Sequence, residues 1–195
     1  MFLNTPMAKK LFKKAFNSAG LIVSRPNEEM IYIAGSGWQI EMDYETMPLK
    51  QKAQLIELIG DIPEVGKRIV ATKNDQQFEF ETGVSLRRFY MAAKTLVHQA
   101  PIVIARPYFD YQLFQEQETF AFLATSRELV TLIDVREIDF ENKGMPSGPC
   151  MLSGGNELYW HNTAGTLCLD LVDMDSEALE IVDFLKNVRI EKGER

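Results

Sequence analysis

The chain has 195 residues, of which 46% are hydrophobic and 25% charged, and its formal net charge is -7. This balance is typical of a folded globular protein and excludes wholesale disorder. No apolar run approaches the roughly 18 residues that a membrane-spanning helix needs, and the basic N-terminus lacks the apolar stretch of a secretory signal. The two cysteines have no CxxC spacing, so we expect no disulfide framework, no metal and no cofactor, in a reducing, cytoplasmic setting.

Hydrophobic periodicity in the first half predicts two helices and five strands. Asn4 and Thr5 offer capping oxygens for the first helix, and Pro6 suits its first turn. Trp38, with apolar residues at every second position after it, indicates a half-buried strand. In chain order the predicted elements are a helix over 7–19, strands over 21–24, 30–34 and 38–44, a helix over 48–59, and strands over 67–72 and 77–82.

The second half begins with the same pattern. The predicted elements are a helix over 85–99, strands over 102–105, 111–115, 119–124 and 129–133, a loop over 141–149, strands over 151–153, 157–161 and 166–171, and a helix over 177–188 with Leu179, Val182, Phe184 and Leu185 facing inward. A helix followed by a meander thus occurs twice. We therefore predict an α+β protein of two tandem helix-plus-antiparallel-meander domains, residues 1–83 and 84–195.

The basic residues of this acidic chain are concentrated on helices. Four lysines of the first helix fall within one arc of about 140°, and neither this helix nor the helix over 85–99 contains an acidic residue. The residues concerned are Lys9, Lys10, Lys13, Lys14, Arg87, Arg88 and Lys94. Such a surface suits the phosphates of DNA, which lysine and arginine bind without reading sequence. Two alternatives are an ordinary solvated helix face and a helix lying on a membrane surface.

The order of elements resembles one domain of a DNA polymerase sliding clamp. The segments that carry this resemblance are the basic helix Lys9-Lys10-Leu11-Phe12-Lys13-Lys14-Ala15-Phe16, the helix that follows Met47-Pro48-Leu49, and the hairpin of Gly66 to Thr72 with Gln77 to Thr82. In the second half, Thr119 to Ser126 is similar to a strand pair of bacterial clamp domains. The resemblance implies a ring whose basic helices line a hole and whose sheets form an acidic outer shell.

These observations lead to two functional hypotheses. The first is a non-enzymatic, clamp-like protein of a phage or mobile element, which holds double-stranded DNA through the seven basic residues without sequence specificity. The second is a protein-interaction or regulatory module that binds no nucleic acid. The candidate partners are accordingly DNA, a second copy of the chain and a protein partner, and we expect no membrane association.

Other residue combinations suggest chemistry only weakly. His161 and Cys168 lie on successive predicted strands and would form a nucleophile pair if their side chains met, which is the hypothesis of an unrecognised enzyme. Four acids near the last helix offer oxygen ligands for a divalent cation, although acids also stabilise a helix N-terminus. They are Asp170, Asp173, Asp175 and Glu177. Gly35-Ser36-Gly37 opens no helix and indicates a hairpin turn rather than a phosphate loop.

Overall fold

The strands of the protein form one antiparallel sheet in the computed structural model, which describes residues 2–81, 83–134 and 146–190. The strands of these ranges are β1 Leu21–Ser24, β2 Met30–Gly35, β3 Trp38–Asp43, β4 Lys67–Ala71, β5 Gln76–Phe80, β6 Thr95–Ile104, β7 Tyr111–Glu116, β8 Phe122–Ser126, β9 Ser147–Met151, β10 Glu157–Asn162 and β11 Gly165–Asp170. The helices of the same ranges are α1 Thr5–Asn17, α2 Leu49–Ile59, α3 Leu86–Ala92, α4 Arg127–Val130 and α5 Ser176–Leu185.

The order of strands across the sheet is β5-β4-β1-β2-β3-β11-β10-β9-β6-β7-β8. β3 pairs with β11, with Ile40 opposite Leu167, so that strands from the two halves of the chain are direct neighbours. The α+β class is confirmed. The division at residue 83 and the clamp-like duplication stay predictions, and the sheet is continuous between strands from the two sides of that residue.

Alternation along the strands gives the sheet two different faces. On β11, Leu167 and Leu169 belong to the main core, which also contains the buried residues of α1. Cys168 lies between them in sequence and faces the opposite side, where it packs in a second cluster with Leu86 of α3. Helices α1 and α3 therefore cover opposite faces of the sheet.

The start and packing of α1 follow from its sequence. The Asn4 Oδ1 atom accepts a hydrogen bond from the Met7 N–H at 3.0 Å, which caps the helix as predicted. The helix buries one apolar stripe against the sheet, where the Phe12 ring lies 5.8 Å from that of Trp38. A Cβ atom at Gly35 would lie 2.8 Å from the Ala15 Cβ atom, so the close approach of α1 to β2 requires glycine there.

Two predicted elements of the second half are wrong, and the predicted inward face of the last helix is wrong in part. The helix over 85–99 ends at Ala92, because Ala93 is extended and residues from Thr95 onward form β6, whose Val97 side chain is buried. The strand over 129–133 is instead the short helix α4 and a turn. In α5, Leu179 and Phe184 are exposed rather than facing inward. The predicted loop over 141–149 falls mostly outside the described residues, but residues 147–149 belong to β9, so the loop prediction is wrong there.

The two ends of the sheet differ in what lies beside them. Beyond β8, the Val172 N–H donates a hydrogen bond to the Ala124 carbonyl at 2.9 Å, and the Thr125 hydroxyl donates one to the Asp170 carbonyl at 2.7 Å. The chain leaving β11 therefore covers the β8 edge, and α5 packs nearby in a separate apolar cluster. Beyond β5, no strand follows in the described part of the chain. None of the helices described there is long and apolar enough to cross a membrane.

Candidate functional site

The structure does not bring the seven predicted DNA-contacting residues to one surface. Lys9, Lys10, Lys13 and Lys14 lie on α1, Arg87 and Arg88 lie on α3, and Lys94 follows α3. Because α1 and α3 cover opposite faces of the sheet, the expectation of a shared basic surface is wrong. Contact of the individual residues with DNA stays a prediction.

Two of the α1 lysines are also paired with an acid. The Nζ atoms of Lys10 and Lys14 lie 2.9 and 2.6 Å from the two carboxylate oxygens of Glu128 on α4. The hydrogen bonds from these two lysines lower the pKa of the Glu128 carboxyl below its ordinary value, and the bond from Lys14 has the larger effect. Phosphate binding by either lysine would have to compete with this carboxylate.

The hypothetical nucleophile pair does not form a hydrogen bond. Across β10 and β11, Tyr159 is opposite Cys168, whereas His161 is opposite Thr166, and the His161 Nδ1 atom lies 2.8 Å from the Thr166 hydroxyl. Burial raises the pKa of the Cys168 thiol, which favours the unreactive protonated form. The histidine thus has a structural partner other than the cysteine, and the two residues do not form the hypothetical nucleophile pair.

The acids proposed as cation ligands are divided between different roles. Asp175 accepts a hydrogen bond from the Ala178 N–H as the cap of α5 and forms an ion pair with Arg106, which also binds Glu177. Asp170 instead lies near Glu157 and Cys168, and one ligand atom from each of the three falls within 4.8 Å of the others. Burial raises the pKa of both the Asp170 carboxyl and the Cys168 thiol, which disfavours the charged forms that bind a cation, and we assign the cluster no ligand.

The most unusual surface of the described chain is the open edge at β5. Phe78 and Phe80 are 75% and 76% exposed. They lie on the same face of the strand, because successive side chains of a strand point to opposite faces. Their side chains border a groove of about 440 Å³ between the sheet and the segment after α2. We call this region the β5 edge surface, and its apolar members are Ile59, Ile62, Pro63, Ile69, Phe78 and Phe80.

The backbone of β5 also presents unused hydrogen-bonding groups. At the two ends of the β4–β5 hairpin, the Thr72 N–H donates to the Asp75 carbonyl and the Glu81 N–H donates to the Gly66 carbonyl. In an antiparallel pair the residues bonded to the neighbouring strand alternate with residues whose N–H and C=O point away from it. The backbone N–H and C=O groups of the odd-numbered positions from 75 to 81 therefore point toward β4. The backbone groups of Gln76, Phe78 and Phe80 point outward, beyond the sheet.

The charges around the groove are mainly acidic. Asp61, Glu64 and Glu79 line it together with one cation, Lys67. The Nζ atom of Lys67 lies 3.9 Å from the centre of the Phe80 ring, a cation–π contact, and Glu79 forms an ion pair with Arg68. Asp61 and Glu64 have no ion-pair partner among the residues that the structure describes.

The predicted strand over 77–82 includes Phe78 and Phe80, but sequence reasoning did not identify them as a site. Their alternation is also the pattern of a strand whose apolar face is buried, and no local signal distinguishes the two cases. The exposure arises because β5 is the last strand of its half of the sheet. The one sequence feature that could have indicated the site was this pair of aromatic residues in the last hairpin of the first half of the chain.

Comparison with known proteins identified no relative. No protein-family model, no curated protein and no solved structure matches the chain. The resemblance to sliding clamps therefore stays a prediction.

Proposed function

We propose that this protein is a non-enzymatic interaction module that binds an extended segment of a partner polypeptide along β5. The observation that carries the proposal is the coincidence, at one open sheet edge, of two exposed phenylalanines and outward-pointing backbone groups on the same residues. Strand addition uses these two features together, because main-chain hydrogen bonds supply affinity and pockets for alternate side chains supply specificity.

An exposed apolar edge is also a hazard that proteins normally avoid. Unpaired strand edges promote aggregation, and they are usually shortened, charged, bent or covered. The β8 edge of this protein is covered by its own chain, whereas β5 carries two large aromatic side chains in solvent. Retention of such an edge is accounted for if a partner occupies it.

The free energy of binding available at β5 indicates which further contacts the partner must make. Complete burial of a phenylalanine contributes about 1.5–3 kcal/mol, and each net hydrogen bond about 1 kcal/mol. Two phenylalanines and the few bonds available along β5 therefore give on the order of 8 kcal/mol, from which association removes at least about 4 kcal/mol. Strand pairing alone would be weak. The partner must also place an apolar side chain in the groove, near Ile62.

The proposal is tested with a synthetic peptide about nine residues long, the length of a typical strand with short flanks, with leucine and threonine at alternate positions. Fluorescence anisotropy measures binding, and a peptide with central proline substitutions serves as the control that cannot pair. Amide hydrogen exchange by NMR supplies the structural readout. We expect peptide-dependent protection of the Gln76, Phe78 and Phe80 amides.

A matched pair of variants tests the location of the site. Phe78→Ser should weaken binding at least tenfold, since it removes one of the two exposed aromatic contacts of the edge. Leu49→Ser changes a residue that is also strongly exposed, at 80%, but lies on α2 outside the groove, and it should have no effect. Absence of binding at about millimolar peptide, or equal binding by both variants, would refute the proposal.

A further inference from the structure

The partner segment at the β5 edge surface can be specified further by its charge. Resting on the proposed function, we infer that this segment is basic as well as apolar, with lysine or arginine residues flanking the side chain that enters the groove. The evidence is the charge of the groove lining, in which two acids without an ion-pair partner in the described ranges, Asp61 and Glu64, outnumber one cation, Lys67.

The acids are not equally available to a partner. Glu79 already has Arg68 as its ion-pair partner. Asp61 uses its Oδ1 atom to accept a hydrogen bond from the Ile62 N–H at 2.7 Å, which leaves its other oxygen open to solvent. Glu64 is exposed and, like Asp61, has no basic partner in the described ranges. These two residues are exposed and line the groove, and their carboxylates form the acidic part of the surface.

The single cation of the groove is already engaged. The Nζ atom of Lys67 lies over the face of the Phe80 ring, at 3.9 Å from its centre. An acidic partner would have to compete with this contact. The neighbouring Phe78 ring has no such cation among the described residues. An incoming guanidinium or ammonium could stack on Phe78 in the same manner as Lys67 stacks on Phe80.

A second copy of the chain fits this surface less well. Antiparallel self-pairing of β5 is possible in register, with Phe78 opposite its own counterpart and Gln76 opposite Phe80. However, pairing in the plane of the sheet would place both grooves on the same side, and the two sets of acids would stay without counter-charges. The interface would also be confined to a five-residue strand, which is small compared with the roughly 800 Å² per partner of a stable dimer.

The test compares three peptides with the same alternating leucines, in which the polar positions are threonine, lysine or glutamate. An exposed ion pair changes a binding constant about fivefold at most, so two carboxylates should favour the lysine peptide over the threonine peptide by about tenfold at low salt and disfavour the glutamate peptide. The preference should shrink as ionic strength rises, because salt screens exposed charges.

The double variant Asp61→Asn/Glu64→Gln should remove the preference for the lysine peptide and leave binding of the threonine peptide unchanged. The control is Glu28→Gln/Glu29→Gln, which changes the net charge equally at exposed positions of the β1–β2 turn. Its preference should stay close to that of the unmodified protein, which separates a local effect of the groove from the general attraction of an acidic protein for cations.

The outcomes distinguish this inference from the proposed function. Equal binding of all three peptides overturns the inference and leaves strand addition intact, whereas failure of every peptide overturns strand addition itself. Analytical ultracentrifugation of the protein without peptide provides a further check. A concentration-dependent dimer that Phe78→Ser abolishes would show that a second copy occupies the edge, and it would overturn the inference of a basic partner.

Discussion

The two edge strands of the sheet, β8 and β5, differ in whether the chain covers their outward backbone groups. At the β8 end, the chain leaving β11 returns to hydrogen bond with the edge strand, and α5 adds an apolar cover. At the β5 end, the strand is short, its outward backbone groups have no strand beside them in the described chain, and two phenylalanines face solvent. The comparison shows that this chain can close a sheet edge with its own residues, and that the described residues do so at one end only.

Two phenylalanines illustrate the difference at the level of side chains. Phe114 on β7, next to the closed edge, is fully buried and its ring meets that of Trp160 edge-on at 6.0 Å. Phe78 on β5 has only the sheet surface and the groove beside it. The residue type is the same, so the contrast in burial comes entirely from which strands lie on either side.

The largest expected effect is therefore at the closed end. Phe114→Ala should lower the free energy of unfolding by about 3–5 kcal/mol, because it removes a buried ring and leaves a cavity. Urea denaturation followed by tryptophan fluorescence measures the change, since Trp160 reports directly on the site. A loss below about 1 kcal/mol would mean that the closed end is loosely packed, and the comparison between the two ends would fail.

Much of this arrangement can be predicted from the sequence, and the failures have identifiable causes. The alternation from Trp38 to Met42 correctly predicted β3, and the cap at Asn4 correctly predicted the start of α1. The helix over 85–99 failed in its last residues, because the pairing of β6 with β7 and β9 holds the chain from Thr95 onward in a strand.

The site was harder to predict than the strands that build it. Exposure of Phe78 depends on the absence of a strand beyond β5, which in turn depends on the pairing of β3 with β11, between residues far apart in sequence. Local patterns carry no information about such a pairing. The predicted basic surface failed for the same reason, since only the strand order shows that α1 and α3 lie on opposite faces.

A much smaller effect is expected where the first half of the chain contacts the closed end. Glu128→Gln on α4 removes the ion pairs to Lys10 and Lys14, and exposed pairs of this kind contribute about 0–1 kcal/mol. Because the lysines lower the pKa of Glu128 in the folded state, the carboxylate stabilises the fold above its ordinary pKa of about 4.5, and this stabilisation is lost as pH falls through the lowered pKa. Unfolding curves of both proteins should thus differ at pH 7 and converge in acid.

The same variant tests the hypothesis of DNA binding. Glu128→Gln releases two lysines, so a DNA-binding α1 would bind duplex DNA more tightly, in a salt-sensitive manner. We expect no mobility shift for either the variant or the unmodified protein, because the remaining basic residues on α3 lie on the opposite face. A shift that Glu128→Gln strengthens and Lys10→Glu/Lys14→Glu abolishes would support the DNA hypothesis against the interaction module.

An effect on stability of the same small size is expected at the open end. Phe78 and Phe80 are each about three quarters exposed in the folded protein, so folding removes only about a quarter of each side chain from water. A quarter of the roughly 1.5–3 kcal/mol available from full burial is about 0.5 kcal/mol per residue. Phe78→Ser/Phe80→Ser should therefore lower the free energy of unfolding by about 1 kcal/mol with an unchanged dependence on urea, while it abolishes peptide binding. A loss above about 3 kcal/mol would show that these rings support the fold, and that their exposure is not evidence of a partner.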